Sequence, residues 1–417
     1  MSQELNIDFH NADKFVIHFG SRSSALLDFH IAFEDKEQKA IQWYFEVYAT
    51  DYTTNVDDKE AQSVVDSLPV WGTRLFNAVF SNPVARRLYE DFQKQGGLLT
   101  ISATEPSILA LPWELLYDSE TTFLYNCKPH ISIRRRLASA DKAQQPIVVE
   151  PKKRLRLLFV ICRPEGAGFI DPRADAKAVL GALDEETSGR FEIEFLRPPT
   201  LENLTKRLEC RAQYRKSPAV DVLHFDGHGV FMPVDAAQHS PYSHKQSAET
   251  KKADGDPGFM GYLLFEDEAG KTHRVDACTL GNILTQQNVG LVVLSACQSA
   301  MMGGEEAMSS VAARLLHAGM PAVLAMTYSV LVETTRRLFK RFYESLAYGA
   351  GIGESLDDAR RYLYSHPERG ERQRLKGPIT LKVSDWFLPA LYQVGADNPL
   401  LLDEDEIDEP TDLAQPF

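Results

Sequence analysis

The sequence predicts an α/β protein built on a mostly parallel sheet, and three observations carry that expectation. Val289–Gly304 (VGLVVLSACQSAMMGG) opens as a short run of β-branched and aliphatic residues and ends abruptly in small polar ones around Cys297. Asp221–Gly229 (DVLHFDGHG) repeats the pattern, with Val220, Val222, Leu223 and Phe225 leading into His228-Gly229. Short apolar runs bounded by turn residues read as strands buried in a parallel sheet. Third, strand-like and helix-like segments alternate from Leu155 onward, which implies right-handed βαβ crossovers. Chemistry in such sheets gathers at the carboxyl ends of the strands. Cys297 and His228 both fall there.

Bulk properties narrow the class. A chain of 417 residues is long for one core, so two domains are expected, with one long α/β domain as the alternative. Hydrophobic content of 44% and charged content of 25% are globular values. A formal net charge of −14 argues against direct nucleic-acid binding, which wants a basic face. No apolar run approaches 18 residues and the N-terminus lacks a basic-then-apolar pattern, so neither a membrane span nor a signal peptide is expected. The five cysteines (Cys127, Cys162, Cys210, Cys278, Cys297) are odd in number and lack CxxC spacing. That pattern fits free thiols in a reducing cytoplasm, with no metal site and no cofactor.

Residues 1–137 read as a smaller, non-catalytic α/β unit. Phe15–Phe19, the alternating Trp43–Tyr48 and Leu98–Ala103 are expected strands. Val64–Ser81 and Val84–Gln95 are expected amphipathic helices, broken at Asn82-Pro83. In LPWELLYD (Leu111–Asp118), Trp113 and Glu114 read as a buried anchor and its polar cap. Ile131–Leu137 is extended and basic. The isolated His10, His18, His30 and His130 read as structural or surface residues. Residues 138–154 are polar with Pro and Gln, a linker composition.

Residues 155–396 hold the catalytic candidates. Expected strands are Leu155–Ile161, Phe191–Leu196, Val220–Phe225, Tyr262–Phe265 and Ala322–Tyr328. Expected helices are Ala174–Leu183, Leu201–Ala212, Val275–Gln286, Ser309–Ala318, Thr334–Ala347 and Leu356–Tyr364. Phe231–Phe259 has no period and is expected to be irregular: a surface insertion, an active-site flap or a cleavable activation loop. Residues 397–417 form an acidic, Pro-containing stretch with the composition of a disordered tail or interdomain linker.

The two strand-end motifs suit a cysteine-histidine hydrolase. A free thiol titrates near about 8.5 and needs a neighbouring imidazole to take its proton and later protonate the leaving group. Of two histidines, His228 at the strand's end is the better base, because Gly227 is expected to end the extended run. His224, inside the apolar run, is expected to pack behind it. The backbone amides of Gly229 and Cys297 could form a two-donor oxyanion hole, worth roughly 3–4 kcal/mol per donor. Asp226 reads equally as a turn residue, an orienter of the base, or an acid lining the substrate pocket. Against all of this stands the ordinary fate of a buried cysteine, an inert small hydrophobe.

At these residues the sequence resembles the CHAT domain family, a caspase-like branch of the clan that also holds caspases, metacaspases, gingipains and separase. HFDGHG (His224–Gly229) and VVLSACQSA (Val292–Ala300) look like the family's two catalytic blocks. GYLLFED (Gly261–Asp267), AGMPAVLAM (Ala318–Met326), RFYESLAYG (Arg341–Gly349) and DWFLPALYQ resemble its other blocks. The resemblance implies a caspase-like parallel or mixed sheet flanked by helices, preceded by a smaller pseudo-caspase-like unit. It implies a Cys-His endopeptidase with Cys297 as nucleophile, His228 as base, and the Gly229 and Cys297 amides as oxyanion hole. Ser295 stands where metacaspases carry a pocket acid, and Asp226 could supply the acid instead. Family members commonly serve prokaryotic defence and cell death, some beside CRISPR effectors or gasdermins. The implied partners are a protein substrate, such as a gasdermin-like pore-former, and a sensor or activator such as a TPR or NTPase region, in cis or in trans. The chain is then either a stand-alone protease or the N-terminal part of a longer protein. A different class stays open: a catalytically silent, protease-like scaffold. A third option is an amidase or acyltransferase using the same dyad.

Overall fold

The computed structural model describes residues 3–30, 33–50, 57–120, 122–138, 149–168, 170–183, 187–213, 219–233, 259–298, 306–328, 330–374 and 377–402. The chain opens with the hairpin β1 (Glu4–Asn11) and β2 (Lys14–Phe19), then two short strands, β3 (Arg22–Ser23) and β4 (Leu27–Asp28). Helix α1 (Asp35–Trp43) runs into a π-helical turn over Tyr44–Tyr48. The alternation in Trp43–Tyr48 that predicts a strand is therefore overruled. Tyr44, Phe45 and Tyr48 are the buried residues, and Tyr44 stacks on Tyr48 at 5.5 Å. Helical spacing puts all three aromatics on the core side, which an extended segment would divide between two faces.

Local chemistry sets the next boundaries. Helix α2 (Asp58–Phe80) starts where the Asp57 carboxylate accepts from the amides of Lys59 and Glu60. Helix α3 (Pro83–Gln93) starts at Asn82, whose side chain accepts from Val84 and Ala85, with Pro83 in the first turn. Strand β5 (Gly97–Ala103), the short α4 (Pro106–Ala110) and β6 (Ile131–Leu137) complete the first unit. The second begins with β7 (Leu155–Ile161), α5 (Ala174–Leu180), β8 (Phe191–Phe195), α6 (Leu201–Gln213) and β9 (Val222–Pro233). Then follow β10 (Phe259–Glu266), β11 (Thr272–Asp276), α7 (Ala277–Gln286), β12 (Leu291–Gln298), α8 (Glu306–His317) and β13 (Ala322–Met326). Helices α9 (Val332–Ala347) and α10 (Ile352–Ser365), the hairpin β14 (Glu368–Arg374) and β15 (Gly377–Lys382), and β16 (Pro389–Gln393) close the fold.

The architecture is a large, mostly parallel mixed sheet flanked by helices, of fourteen strands among the described residues. Its order is β8, β7, β9, β12, β13, β16, β6, β5, β1, β2, with β3 and β4 on β2. Strands β8, β7, β9, β12 and β13 are mutually parallel, as the alternation from Leu155 requires. Strand β10 pairs antiparallel with the far half of β9 and carries β11. Every residue of β7, β13 and β16 is buried, the signature of strands covered on both faces. Helix α5 packs on α9 and α9 on α10, while α8 lies against β10 and β13.

The two expected units meet inside this sheet, where β16 pairs in parallel with β6. A buried ionic cluster spans the junction. Arg135 of β6 forms a two-pronged pair with Glu114, one prong 2.8 Å long, and donates to the carbonyls of Leu109 (2.6 Å) and Leu111 (2.8 Å). Arg360 of α10 reaches Glu114 at 3.4 Å, pairs with Asp357 and donates to the Pro389 carbonyl at 2.6 Å. Trp113 is fully buried and donates from Nε1 to the Ile108 carbonyl, so the anchor-and-cap expectation for Trp113 and Glu114 fits.

Three segment expectations change. Gly227 does not end its strand: β9 continues unbroken through His228 to Pro233. Phe231–Pro233, expected to be irregular, belong to β9, and residues 234–258, the rest of the expected flap or cleavable loop, lie outside the described residues. The acidic stretch also starts later than 397, since Leu400 and Leu401 are buried and Lys152 donates to the Leu400 carbonyl. Residues 403–417 lie outside the described residues.

Gly227 is needed for packing. A Cβ there would sit 2.9 Å from the Phe225 ring, which is itself held by Phe265 at 5.2 Å. Gly227→Ala should lower stability by about 1–3 kcal/mol in urea unfolding. An unchanged midpoint would mean that the ring has room to move.

Candidate active site

Strands β9 and β12 run parallel and in register from Val222↔Leu291 to Gly229↔Gln298. That register places Ser295 opposite Asp226, Ala296 opposite Gly227 and Cys297 opposite His228. Partners on adjacent strands lie about 5 Å apart across the ladder. The two candidates for the dyad, 69 residues apart in the sequence, are thus backbone neighbours. Cys297 belongs to the described residues through its backbone; its side chain lies outside them.

His228 is 4% exposed. Its Nε2 lies 2.8 Å from the Gly168 carbonyl oxygen. A carbonyl can only accept, so Nε2 carries the proton and the neutral ring keeps its lone pair on Nδ1. Nδ1 is buried and has no hydrogen-bond partner among the described residues. Burial holds the imidazole below its ordinary pKa; the Gly168 carbonyl opposes that shift and the Arg163 charge adds to it. The ring is neutral at pH 7, with its basic nitrogen unbonded among the described residues, the state a general base requires.

His224 behaves differently. It shares a face of β9 with His228, being four residues away in an unbroken strand. It is fully buried between the rings of Phe159 and Phe339, each with its centroid 4.6 Å away. Its Nδ1 lies 3.0 Å from the Tyr343 hydroxyl and its Nε2 3.4 Å from Asp175. Thr335 donates to the other Asp175 oxygen at 2.8 Å. His224 thus packs behind the site, tied to α5 and α9.

Asp226 is 2% exposed and its Oδ1 pairs with Arg163 at 2.7 Å. Burial raises its carboxyl above the usual carboxylate range, Asp175 adds to the rise, and Arg163 and His224 oppose it. An acid waiting for a basic substrate side chain would be open and without a resident cation. Asp226 is neither. Ser295 is 6% exposed, facing Asp226 across the ladder. Gly229 pairs with Leu263 of β10 on one side and faces Gln298 of β12 on the other. Cys162, at the end of β7, is fully buried, donates weakly to the Pro199 carbonyl at 3.6 Å, and burial raises its thiol far above the ordinary range. It has the character of a packing residue.

Two site residues escaped the sequence reasoning: Gly168, which holds the imidazole, and Arg163, which pairs with Asp226. Both lie in RPEGAG just after β7. The available signal was a charged residue two positions past the end of a buried strand, opening a Gly-rich loop at the edge where chemistry gathers. No group of three or more His, Cys, Asp or Glu among the described residues could hold a metal ion. No helix among them is long and apolar enough to cross a membrane.

Similar architectures occur among solved structures. The Saccharomyces cerevisiae separase of the separase–securin complex aligns with a TM-score of 0.46 at 11% identity, covering 95% of this chain. The chain spans 30% of that separase chain. The Arg-specific cysteine proteinase gingipain R aligns with a TM-score of 0.37 at 11% identity, covering 82% of this chain and 76% of its own. The complex of the pro- and mature domains of Porphyromonas gingivalis RgpB aligns with a TM-score of 0.39 at 10% identity, covering 84% and 78%. No curated protein matches the sequence. The family described as CHAT domain matches residues 70–394, well over half of the chain. The protein therefore belongs to the CHAT domain family.

Proposed function

We propose that this protein is a regulated cysteine endopeptidase in which Cys297 is the nucleophile and His228 the base. The observation that carries the proposal is the register of β9 and β12, which sets Cys297 opposite a histidine whose Nε2 is tied to Gly168 and whose Nδ1 has no partner among the described residues. The thiol proton would pass to Nδ1 as sulfur attacks the scissile carbonyl, giving a tetrahedral oxyanion. Collapse would expel the amine, protonated by the imidazolium, and leave a thioester. Water, deprotonated by the same imidazole, would then release the acid and restore the thiol. Amides of Gly229 and Cys297 are the proposed oxyanion donors. Asp226, given its burial and its pairing with Arg163, fits the role of orienter better than that of pocket acid.

Membership in the CHAT family supports a protein substrate, a gasdermin-like pore-former among the options. It equally supports an effector role in prokaryotic defence or cell death in the cytoplasm, switched by a TPR- or NTPase-type sensor. The test is cleavage of a peptide library or proteome by wild type and by Cys297→Ala, with and without candidate activators.

A pH profile adds an independent check. The base works when neutral, so kcat/KM should fall with pH only through the lowered His228 pKa, giving an acid limb below about 6.5. Asp226, with its raised carboxyl, titrates toward the same window, and Asp226→Asn separates the two. An acid limb above 6.5 in both proteins would contradict a buried, neutral His228.

A further inference from the structure

We propose that Arg163 is a positioning residue for His228, a guanidinium clamp that holds the 163–171 loop, and with it the Gly168 carbonyl, against β9. The proposal rests on the dyad above and goes beyond it, because it names what fixes the base's tautomer.

Arg163 lies two residues past the end of β7, and its side chain, mostly buried, makes five hydrogen bonds. Nε donates to the Ile170 carbonyl at 2.9 Å. Nη1 donates to the carbonyls of Cys162 (2.8 Å) and Asp226 (2.7 Å). Nη2 donates to Asp226 Oδ1 at 2.7 Å and more loosely to the Asp171 carbonyl at 3.4 Å. Its own backbone amide donates to Glu266 Oε1 of β10 at 2.7 Å. One planar five-donor fork thus links the end of β7, the far side of the loop, and β9 two residues before His228.

Gly168 lies between the two loop anchors, Arg163 and Ile170. A further tether holds the near side, where the Glu165 amide donates to the Gly270 carbonyl at 2.8 Å. The bond from His228 Nε2 to Gly168 is then a consequence of where the loop is pinned. A guanidinium needed only to satisfy core acceptors could take them anywhere. Every acceptor of this one belongs to the segments that frame His228. Lysine offers a point charge with no fork and could hold the carboxylate or the loop, but not both. Without the clamp, the Gly168 carbonyl moves, Nε2 loses its fixed acceptor, and the proton redistributes between the two ring nitrogens. Part of the population then presents a protonated Nδ1, which cannot act as a base.

The test uses the full chain and two readouts. In a Cys297→Ala background, 15N shifts of His228 report the tautomer without any need for catalysis. In the Cys297 protein, kcat and KM on a cleaved peptide report positioning. Arg163→Gln should mix the tautomers and lower kcat on the order of 100-fold, with KM nearly unchanged. Arg163→Lys should recover part of both. If Arg163→Gln does not fold, Asp226→Asn, which weakens the same tether, should shift the tautomer and kcat in the same direction by a smaller factor. A His228 that stays Nε2-protonated, with unaltered kcat, in the folded variants overturns the clamp. If His228→Ala still cleaves, the dyad is what fails, and the tautomer measurement still judges Arg163.

Discussion

Cys297→Ala is expected to abolish cleavage outright, and His228→Ala to reduce it about 100- to 10,000-fold, the usual worth of a positioned acid–base group. The physical reason is the pairing of β9 with β12. The register brings the two residues together across the ladder, and the Gly168 bond takes Nε2, leaving Nδ1 without a partner among the described residues. His224→Ala should behave in the opposite way. It removes a fully buried ring that bridges Tyr343 and Asp175, so it should cost about 1–3 kcal/mol of stability while sparing most of the rate. The measurement is turnover of a cleaved peptide by the three variants, beside their urea midpoints. Cleavage that survives in Cys297→Ala would end the mechanism. A His224→Ala protein that folds normally but is dead would move the base four residues inward along β9.

The largest stability effect is expected at Glu114, far from the dyad. Its carboxylate is 1% exposed and is shared by Arg135 and Arg360, which are themselves 0% and 1% exposed. Removing one partner of a buried ion pair strands the others in a low-dielectric interior, which typically costs about 3–5 kcal/mol. Glu114→Ala should lose that much in urea unfolding at unchanged m. Glu114→Gln, which keeps hydrogen bonds and loses the charge, should fall between. Lys14→Ala is the control: the Lys14–Asp28 pair, 2.6 Å long, stands in solvent and should leave the midpoint where it was. A Glu114→Ala protein within about 1 kcal/mol of wild type would show that apolar packing alone joins the halves. Because Arg135 lies on β6 and Arg360 on the helix before the closing hairpin and β16, the same result bears on whether the first unit is needed for the second to fold.

Much of the fold was legible because its signals are local. An apolar run such as Leu291–Leu294 can only be a buried strand or part of a buried helix, and its length and branching decide for the strand. Asn82-Pro83 marks a helix boundary through one side-chain acceptor and one fixed φ. Trp43–Tyr48 misled because period two and period 3.6 are hard to tell apart over six residues. Where the aromatics point depends on the core they meet, and Tyr44, Phe45 and Tyr48 meet it on one helical side. Gly227 misled for a related reason. A glycine suggests a stop, but its missing Cβ is room for the Phe225 ring within a continuing strand.

The sequence by itself determined the class of the fold and the two strand-end motifs. Those follow from side-chain polarity and periodicity, which are properties of neighbours in the chain. Only the tertiary structure decided that Cys297 stands opposite His228, that Gly168 holds the imidazole, and that Asp226 is already occupied by Arg163. Each of these is a meeting of segments some 60 or more residues apart. Register, burial and the direction of a carbonyl come into being only when strands pair, and no local pattern encodes them.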